Sequence, residues 1–345
     1  SKWLAWAPGG LLHSNIGSCA MFAAISGSSA ATAATIGTVA LPALKERHYD
    51  VRLTLGSLAG GGTLGILIPP SMTMIVFGML AEASVGRLFA GGVIPGLILS
   101  LMFMTYIGIR AVRNPQLAPK EVKFAVRNLI LSFKDFWPAF ILSAIILGGI
   151  FGGLVTPTEA AALGASAALI MALGFRRLNW QMIRESLASS LRTTCMVMFI
   201  VMAANMFAAF LAVTRVPASF ALLVVQSGLP KIAILIAIYL LYLFLGCFID
   251  GLSTQVMTVP TILPVIVALG FDPIWFGVIL VMLVEVGALT PPMGINLFVI
   301  QGLSKRSLAD VIIGSAPFFF IIILGIVLLT MFPSLVLWLP TLFFG

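Results

Sequence analysis

The chain has 345 residues, of which 61% are hydrophobic and only 9% charged. A soluble domain carries about 25% charged residues, so this composition cannot build a water-facing surface and must be membrane-embedded. The formal charge of +8 does not point to nucleic acid, because the basic residues sit in short clusters between apolar runs, as the positive-inside rule describes.

In chain order, Ser1-Lys2-Trp3 leads into a Pro8-Gly9-Gly10 turn, which reads as an opening without a signal peptide. Segment 11–44 is apolar but interrupted by the small polar run Ser26-Gly27-Ser28-Ser29-Ala30-Ala31-Thr32. Each arm falls short of the roughly 20 residues that a crossing needs. A re-entrant hairpin is expected, its tip near mid-membrane, because non-helical backbone at that depth must be buried in protein or line an aqueous cavity. Segment 51–82 contains Gly65-Ile66-Leu67-Ile68-Pro69-Pro70-Ser71. A Pro-Pro pair removes two backbone donors and disfavours helix at the preceding residue, so two half-helices joined by an unwound loop are expected. Segment 87–109 reads as a full crossing, and these elements form a first repeat over 1–109.

The linker 110–135 gathers Arg110, Arg113, Lys120, Lys123, Arg127 and Lys134 and is expected in the cytoplasm. Beyond it, scaffold helices are expected over 136–229. Segments 136–153 and 156–174 make an out-and-back pair, the second opened by the capping sequence Thr156-Pro157-Thr158-Glu159. After the basic stretch 176–192, segment 193–214 crosses outward and leaves Arg215 at the periplasmic face, where it could attract a substrate carboxylate. The short stretch 216–229 is expected along the interface. Segment 231–271 is a second hairpin, interrupted at Asp250-Gly251-Leu252-Ser253-Thr254. Segment 273–303 is a second broken helix, interrupted at Gly287-Ala288-Leu289-Thr290-Pro291-Pro292-Met293, and helices over 308–345 close a second repeat, 136–345.

An offset of 222 residues places Pro42, Pro69, Pro70 and Pro95 on Pro264, Pro291, Pro292 and Pro317, and Gly65, Gly92, Thr32 and Asp50 on Gly287, Gly314, Thr254 and Asp272. Punctuating prolines and glycines do not coincide in this way by chance in apolar sequence. The loop 45–52 is basic whereas its partner, Gly270-Phe271-Asp272-Pro273, carries no basic residue, so equivalent loops face opposite sides and the repeats are inverted. The loops 45–52, 110–135, 176–192 and 305–306 are then cytoplasmic and the C-terminus periplasmic. The second repeat begins near 136, so scaffold belonging to the first is expected upstream of residue 1, in an intact protein of about 430 residues. The fold class is an all-α polytopic membrane protein, each repeat holding one hairpin and one Pro-Pro-broken helix. Unwound loops offer carbonyl oxygens to a small cation, and half-helix N-termini offer N–H groups to an anion. Two ionisable residues lie at depth: Asp250 at a hairpin tip, for a cation or as a helix cap, and Glu285 beside the second break. Cys19, Cys195 and Cys247 lack metal-ligand spacing and read as packing residues, and His13 and His48 stand alone.

The run 26–32 and the string Gly61-Gly62-Thr63-Leu64-Gly65-Ile66-Leu67-Ile68-Pro69-Pro70-Ser71 carry a further signal. Through them the chain resembles the large membrane subunit of tripartite ATP-independent periplasmic (TRAP) transporters, within the ion-transporter superfamily, over essentially its whole length. The resemblance implies a sodium-driven elevator importing an organic acid anion such as a dicarboxylate or a sialic acid. It also implies a soluble periplasmic binding protein that delivers the substrate, and a small four-helix membrane subunit, separate or fused, in the bacterial inner membrane. One sodium ion would be held around Ser28, Ser29, Gly65, Ile68 and Pro69, and a second near Asp250, Thr254, Gly287 and Thr290. Substrate would lie against Ser29, Thr32, Pro70, Ser253 and Pro292, with Arg215 as a further candidate. Competing readings are a stand-alone anion or dicarboxylate symporter of the same superfamily, a channel, and an intramembrane hydrolase. The last is poorly served by two isolated histidines and one intramembrane aspartate.

Overall fold

The structure, a computed structural model, describes residues 8–119, 126–226 and 228–345. Among them every regular element is helical. The chain opens with α1 (Gly10–Ser26), α2 (Ser29–Glu46), α3 (Val51–Leu67), α4 (Met72–Leu80) and α5 (Val85–Arg113), followed by a 3-10 turn at Pro115–Leu117. Next come α6 (Val126–Phe151), α7 (Pro157–Gly174), α8 (Trp180–Thr214) and α9 (Val216–Gln226). The chain closes with α10 (Lys231–Gly246), α11 (Gly251–Ala268), α12 (Pro273–Ala288), α13 (Ile295–Ser304), α14 (Leu308–Met331) and α15 (Ser334–Phe344). Among the described residues, five helices are long and apolar enough to cross a bilayer, and α3 with α4 forms a sixth, bent by 41°.

The 222-residue offset recurs in the helix starts. Helices α2 and α11 begin one offset apart, capped by Ser28 and Asp250, as do α3 and α12, capped by Asp50 and Asp272. Asp50 Oδ1 accepts from the Leu53 amide at 2.8 Å, and Asp272 Oδ1 from the Ile274 amide at 2.7 Å. An acidic N-cap satisfies amides that the first helical turn leaves without partners. The arms of the two hairpins are 16–18 residues long, at the lower limit for a crossing, and of the four only α11 is among the five long apolar helices. The paired helices α3 and α12 form the centre and are buried on nearly every side, which explains why their sequences show no amphipathic stripe. Glycines bring neighbours close: at Gly56 no methyl would fit against the Gly314 carbonyl of α14. Trp275 Nε1 ties α12 to α14 by donating to the Leu329 carbonyl at 2.9 Å. By contrast α7 and α8 leave large apolar side chains outward, among them Ile170, Phe199, Met206 and Phe210, as lipid-facing or partner-facing helices do. Thr156 and Glu159 form the expected reciprocal cap of α7.

Several boundaries differ from the sequence reading. Helix α5 runs through Arg110 to Arg113, and α6 begins at Val126 rather than 136, so most of the 110–135 linker is helical extension; Lys120 and Lys123 lie outside the described residues, as do Ser1, Lys2 and Trp3. Likewise α8 begins at Trp180, so Arg184 and Arg192 stand on a helix rather than in a loop, with Gln181 Nε2 donating to Glu185 Oε1 at 2.8 Å one turn on. A helix continues wherever nothing breaks it, so a charged residue does not by itself mark the helix end. The breaks are also narrower than expected. Gly65 and Gly287 remain helical, and the unwound residues are 68–71 and 289–294. Ser29 to Thr32, and Ser253 with Thr254, occupy first turns of α2 and α11, so the hairpin breaks are 27–28 and 247–250.

Candidate functional site

Each hairpin break owes its shape to local chemistry. Gly27 ends α1 in the left-handed region (φ 59°), with its amide on the Ala23 carbonyl at 3.2 Å, a position that disfavours any side chain. Ser28 then caps α2, its Oγ accepting from the Ala31 amide at 3.4 Å. The Ser28 carbonyl accepts from Thr32 Oγ1 at 2.8 Å, and Thr32 Oγ1 also lies 2.8 Å from Ser26 Oγ. In the second hairpin, Asp250 Oδ2 accepts from the Leu252 and Ser253 amides at 3.0 and 3.2 Å, and Oδ1 accepts from Ser253 Oγ at 2.5 Å. Asp250 is therefore a helix cap, yet a carboxylate offers about four lone-pair positions and three are used, which leaves one for the cavity.

The hairpin tips dock on the broken helices through glycine. A methyl at Gly65 would fall 2.5 Å from the Ser28 carbonyl oxygen, and one at Gly287 2.9 Å from the Gly246 oxygen. The second tip is also bonded to the second break, the Met293 amide donating to the Cys247 carbonyl at 3.1 Å. Both Pro-Pro bonds are cis.

Three of the four breaks line one cavity of about 330 Å³, through Gly27 and Ser28, Ile249 and Asp250, and Met293, while the first Pro-Pro break reaches it only through its flanks, Ile66 and Met72. Of the residues expected at the site, Ser28, Ser29, Asp250, Thr254 and Gly287 line it. Gly65 and Pro69 are buried behind the first tip, with Ile68 and Pro70 half-buried in the first break. Thr32 is buried and committed to its own helix turn, and Ser253 is bonded to Asp250. Thr290 Oγ1 donates to the Val286 carbonyl at 2.6 Å, and Pro292 is exposed; neither lines the cavity.

Arg215 does not line this cavity. It is exposed in the turn between α8 and α9, at φ 54°. Met196 of the same helix lines the cavity, and the intervening helix is about 28 Å long at 1.5 Å per residue.

Three kinds of lining residue escaped the sequence reading. Asn296, fully buried in the first turn of α13, lies with Nδ2 2.7 Å and Oδ1 3.0 Å from Ser29 Oγ, and Nδ2 also donates to the Ala59 carbonyl at 3.2 Å. It thus stitches the first hairpin to the second broken helix. Its signal was a lone amide soon after the Pro291-Pro292 pair, with only Met74 at the equivalent place. Thr193 and Met196 come from α8, outside the hairpins and broken helices, and Tyr242 from α10, its hydroxyl 2.7 Å from Thr258 Oγ1. The Thr254 hydroxyl, the Gln255 amide group and both Glu285 oxygens are buried without a hydrogen-bond partner. A buried polar group costs free energy until something satisfies it, so these atoms are open to an ion, a proton or water. Glu285 does not line the cavity but sits one residue from Val284, which does.

Among known proteins, residues 2–335 match the family described as the DctM component of the tripartite ATP-independent periplasmic transporter. The chain is 34% identical to a C4-dicarboxylate TRAP transporter large permease protein of Vibrio cholerae, over 99% of its own length and 80% of the relative's. It is 37% identical to an isethionate TRAP transporter permease protein of Oleidesulfovibrio alaskensis, over 87% and 47% respectively. It is 33% identical to a sialic acid TRAP transporter permease protein of Haemophilus influenzae, over 97% and 54%. The chain thus spans about half the length of the last two relatives.

Proposed function

The chain belongs to the DctM-component family of tripartite ATP-independent periplasmic transporters, and from that premise we propose that it is the subunit that imports a small organic acid anion across the bacterial inner membrane, driven by sodium. It is a multi-pass membrane transport protein and not an enzyme. The observation that carries the proposal is the meeting of four helix N-termini at one cavity. Helices α2, α4, α11 and α13 present Ser29, Met72, Gly251 and Ile295, their first residues, to it. Each N-terminus carries roughly half a positive charge and free N–H groups, so together they attract an anion without a cationic side chain. No lysine or arginine is among the described lining residues.

Sodium would sit where neutral oxygens and the carboxylate flank this cavity: the first ion by Ser28, Ser29, Gly65, Ile68 and Pro69, the second by Asp250, Thr254, Gly287 and Thr290. The unpartnered Thr254 hydroxyl and the free position on Asp250 support the second site. An elevator in which the hairpins and broken helices move against α6–α9 is supported by the place of the cavity, between the hairpin tips and α8. Inversion is supported by the ends of the helices. The α2–α3 loop and the α13–α14 loop share one end of the molecule, where a second cavity is lined by both. A crossing by α3 and α4 would put the α4–α5 loop, the partner of the α13–α14 loop, at the other end. A soluble periplasmic protein would deliver the substrate, and a small membrane subunit would complete the scaffold.

The test is uptake of labelled C4-dicarboxylate and sialic acid into proteoliposomes holding the protein with its small subunit. Uptake of one of them that needs both an inward sodium gradient and the binding protein is expected. Sodium-driven uptake without the binding protein would replace this reading by a stand-alone symporter.

A further inference from the structure

A separate cavity of about 710 Å³ lies between the end of α2, the start of α3 and the end of α13, away from the site described above. Its rim carries Lys45 and His48 from one segment and Lys305 and Arg306 from another, all four exposed. His48 (φ 56°) and Lys305 (φ 53°) both turn left-handed, and these two reversals bring the basic ends to one opening. No acidic side chain is among the described lining residues. The neighbouring carboxylate of Asp310 is engaged by Arg52 at 3.2 Å and by Ser307 Oγ at 2.8 Å. Thr54, which lines the cavity and is 5% exposed, has a hydroxyl without a partner. The rest of the wall is largely apolar, with Leu55 buried, Leu41 half-buried, and Pro42 and Leu303 exposed.

We propose that this cavity binds the phosphate headgroup of an anionic membrane lipid, with the acyl chains against the apolar wall. A soluble anion would use the basic rim but leave the wall unexplained. A lipid uses both, and basic pockets between helices at the membrane surface are where anionic headgroups dock. The bound lipid bridges the first hairpin to α13, because the Leu303 and Ile300 side chains already pack against Gly37 of α2. The inference needs neither sodium coupling nor a particular orientation in the membrane, so it stands or falls apart from the transport reading.

The experiment is retention of phosphatidylglycerol by the full-length protein in detergent, read by native mass spectrometry and by the melting shift on lipid addition. Phosphatidylcholine and inorganic phosphate serve as the other probes. Neutralising one cation beside a headgroup weakens binding about fivefold, so Lys305→Gln/Arg306→Gln is expected to bind phosphatidylglycerol about thirtyfold more weakly, and Lys45→Gln alone about fivefold. Arg110→Gln/Arg113→Gln, at the end of α5 and off the cavity, is expected to bind as the parent does. Equal weakening in that control, or equal retention of phosphatidylcholine, would overturn the site. Inorganic phosphate reproducing the melting shift by itself would overturn the lipid in favour of a soluble anion.

Discussion

Asp250→Asn separates the two roles that Asp250 can play. The cap is a matter of one acceptor oxygen facing the Leu252 and Ser253 amides, and the asparagine carbonyl supplies one. Asparagine and aspartate cap helices about equally well, so the variant should lose less than ~1 kcal/mol of stability, whereas Asp250→Ala should lose about 1 kcal/mol or more. The charge is a different matter. A carboxylate ~5 Å from a monovalent cation, at an effective dielectric of about 20, attracts it by about 3 kcal/mol. Its removal should raise the sodium concentration for half-maximal uptake by roughly two orders of magnitude. The assay is a sodium titration of uptake into proteoliposomes with binding protein present, beside thermal unfolding of the same preparations. If Asp250→Asn keeps the parent's sodium dependence, the carboxylate is a cap alone and the second sodium site must be built without it.

Gly65→Ala should impair uptake and destabilise by about 1–3 kcal/mol in thermal unfolding, because the new methyl meets the Ser28 backbone 2.5 Å away and the hairpin tip has to move; a stabilised variant would mean that helix propensity outweighs the clash. Ser29→Ala should weaken sodium dependence and loosen the link to Asn296, and in the parent, uptake against sodium should show a Hill coefficient above one if two ions and the substrate raise each other's affinity. A hyperbolic curve indifferent to Ser29→Ala would count against two sodium sites. Glu285→Gln should unfold within about 1 kcal/mol of the parent, since the carboxyl group has no hydrogen-bond partner to lose and an isosteric amide keeps the packing. A much larger loss in thermal unfolding would show that an ion satisfies Glu285 in the folded protein.

Local chemistry alone placed the hairpins, the two broken helices and the cap at Asp250, and it accounts for the caps that the structure adds. Ser28, Asp50, Asp250 and Asp272 act on amides within three residues of themselves, and the Pro-Pro pairs act on the residue before them, so their effects are written next to their causes. For the same reason the breaks are narrower than expected: a Pro-Pro pair disfavours helix at the residue before it but not three residues earlier, and Gly65 and Gly287 stay helical. Hydropathy marked the apolar stretches but not where helices end, which is why α5, α6 and α8 outran the expected segments. Arg215 looked available only because sequence position says nothing about which way a 35-residue helix carries its end. The cavity belongs to the tertiary structure. Ser29 and Asn296 are 267 positions apart and meet because glycines let two hairpin tips settle onto two broken helices, and no interaction within a few residues of either one specifies that meeting.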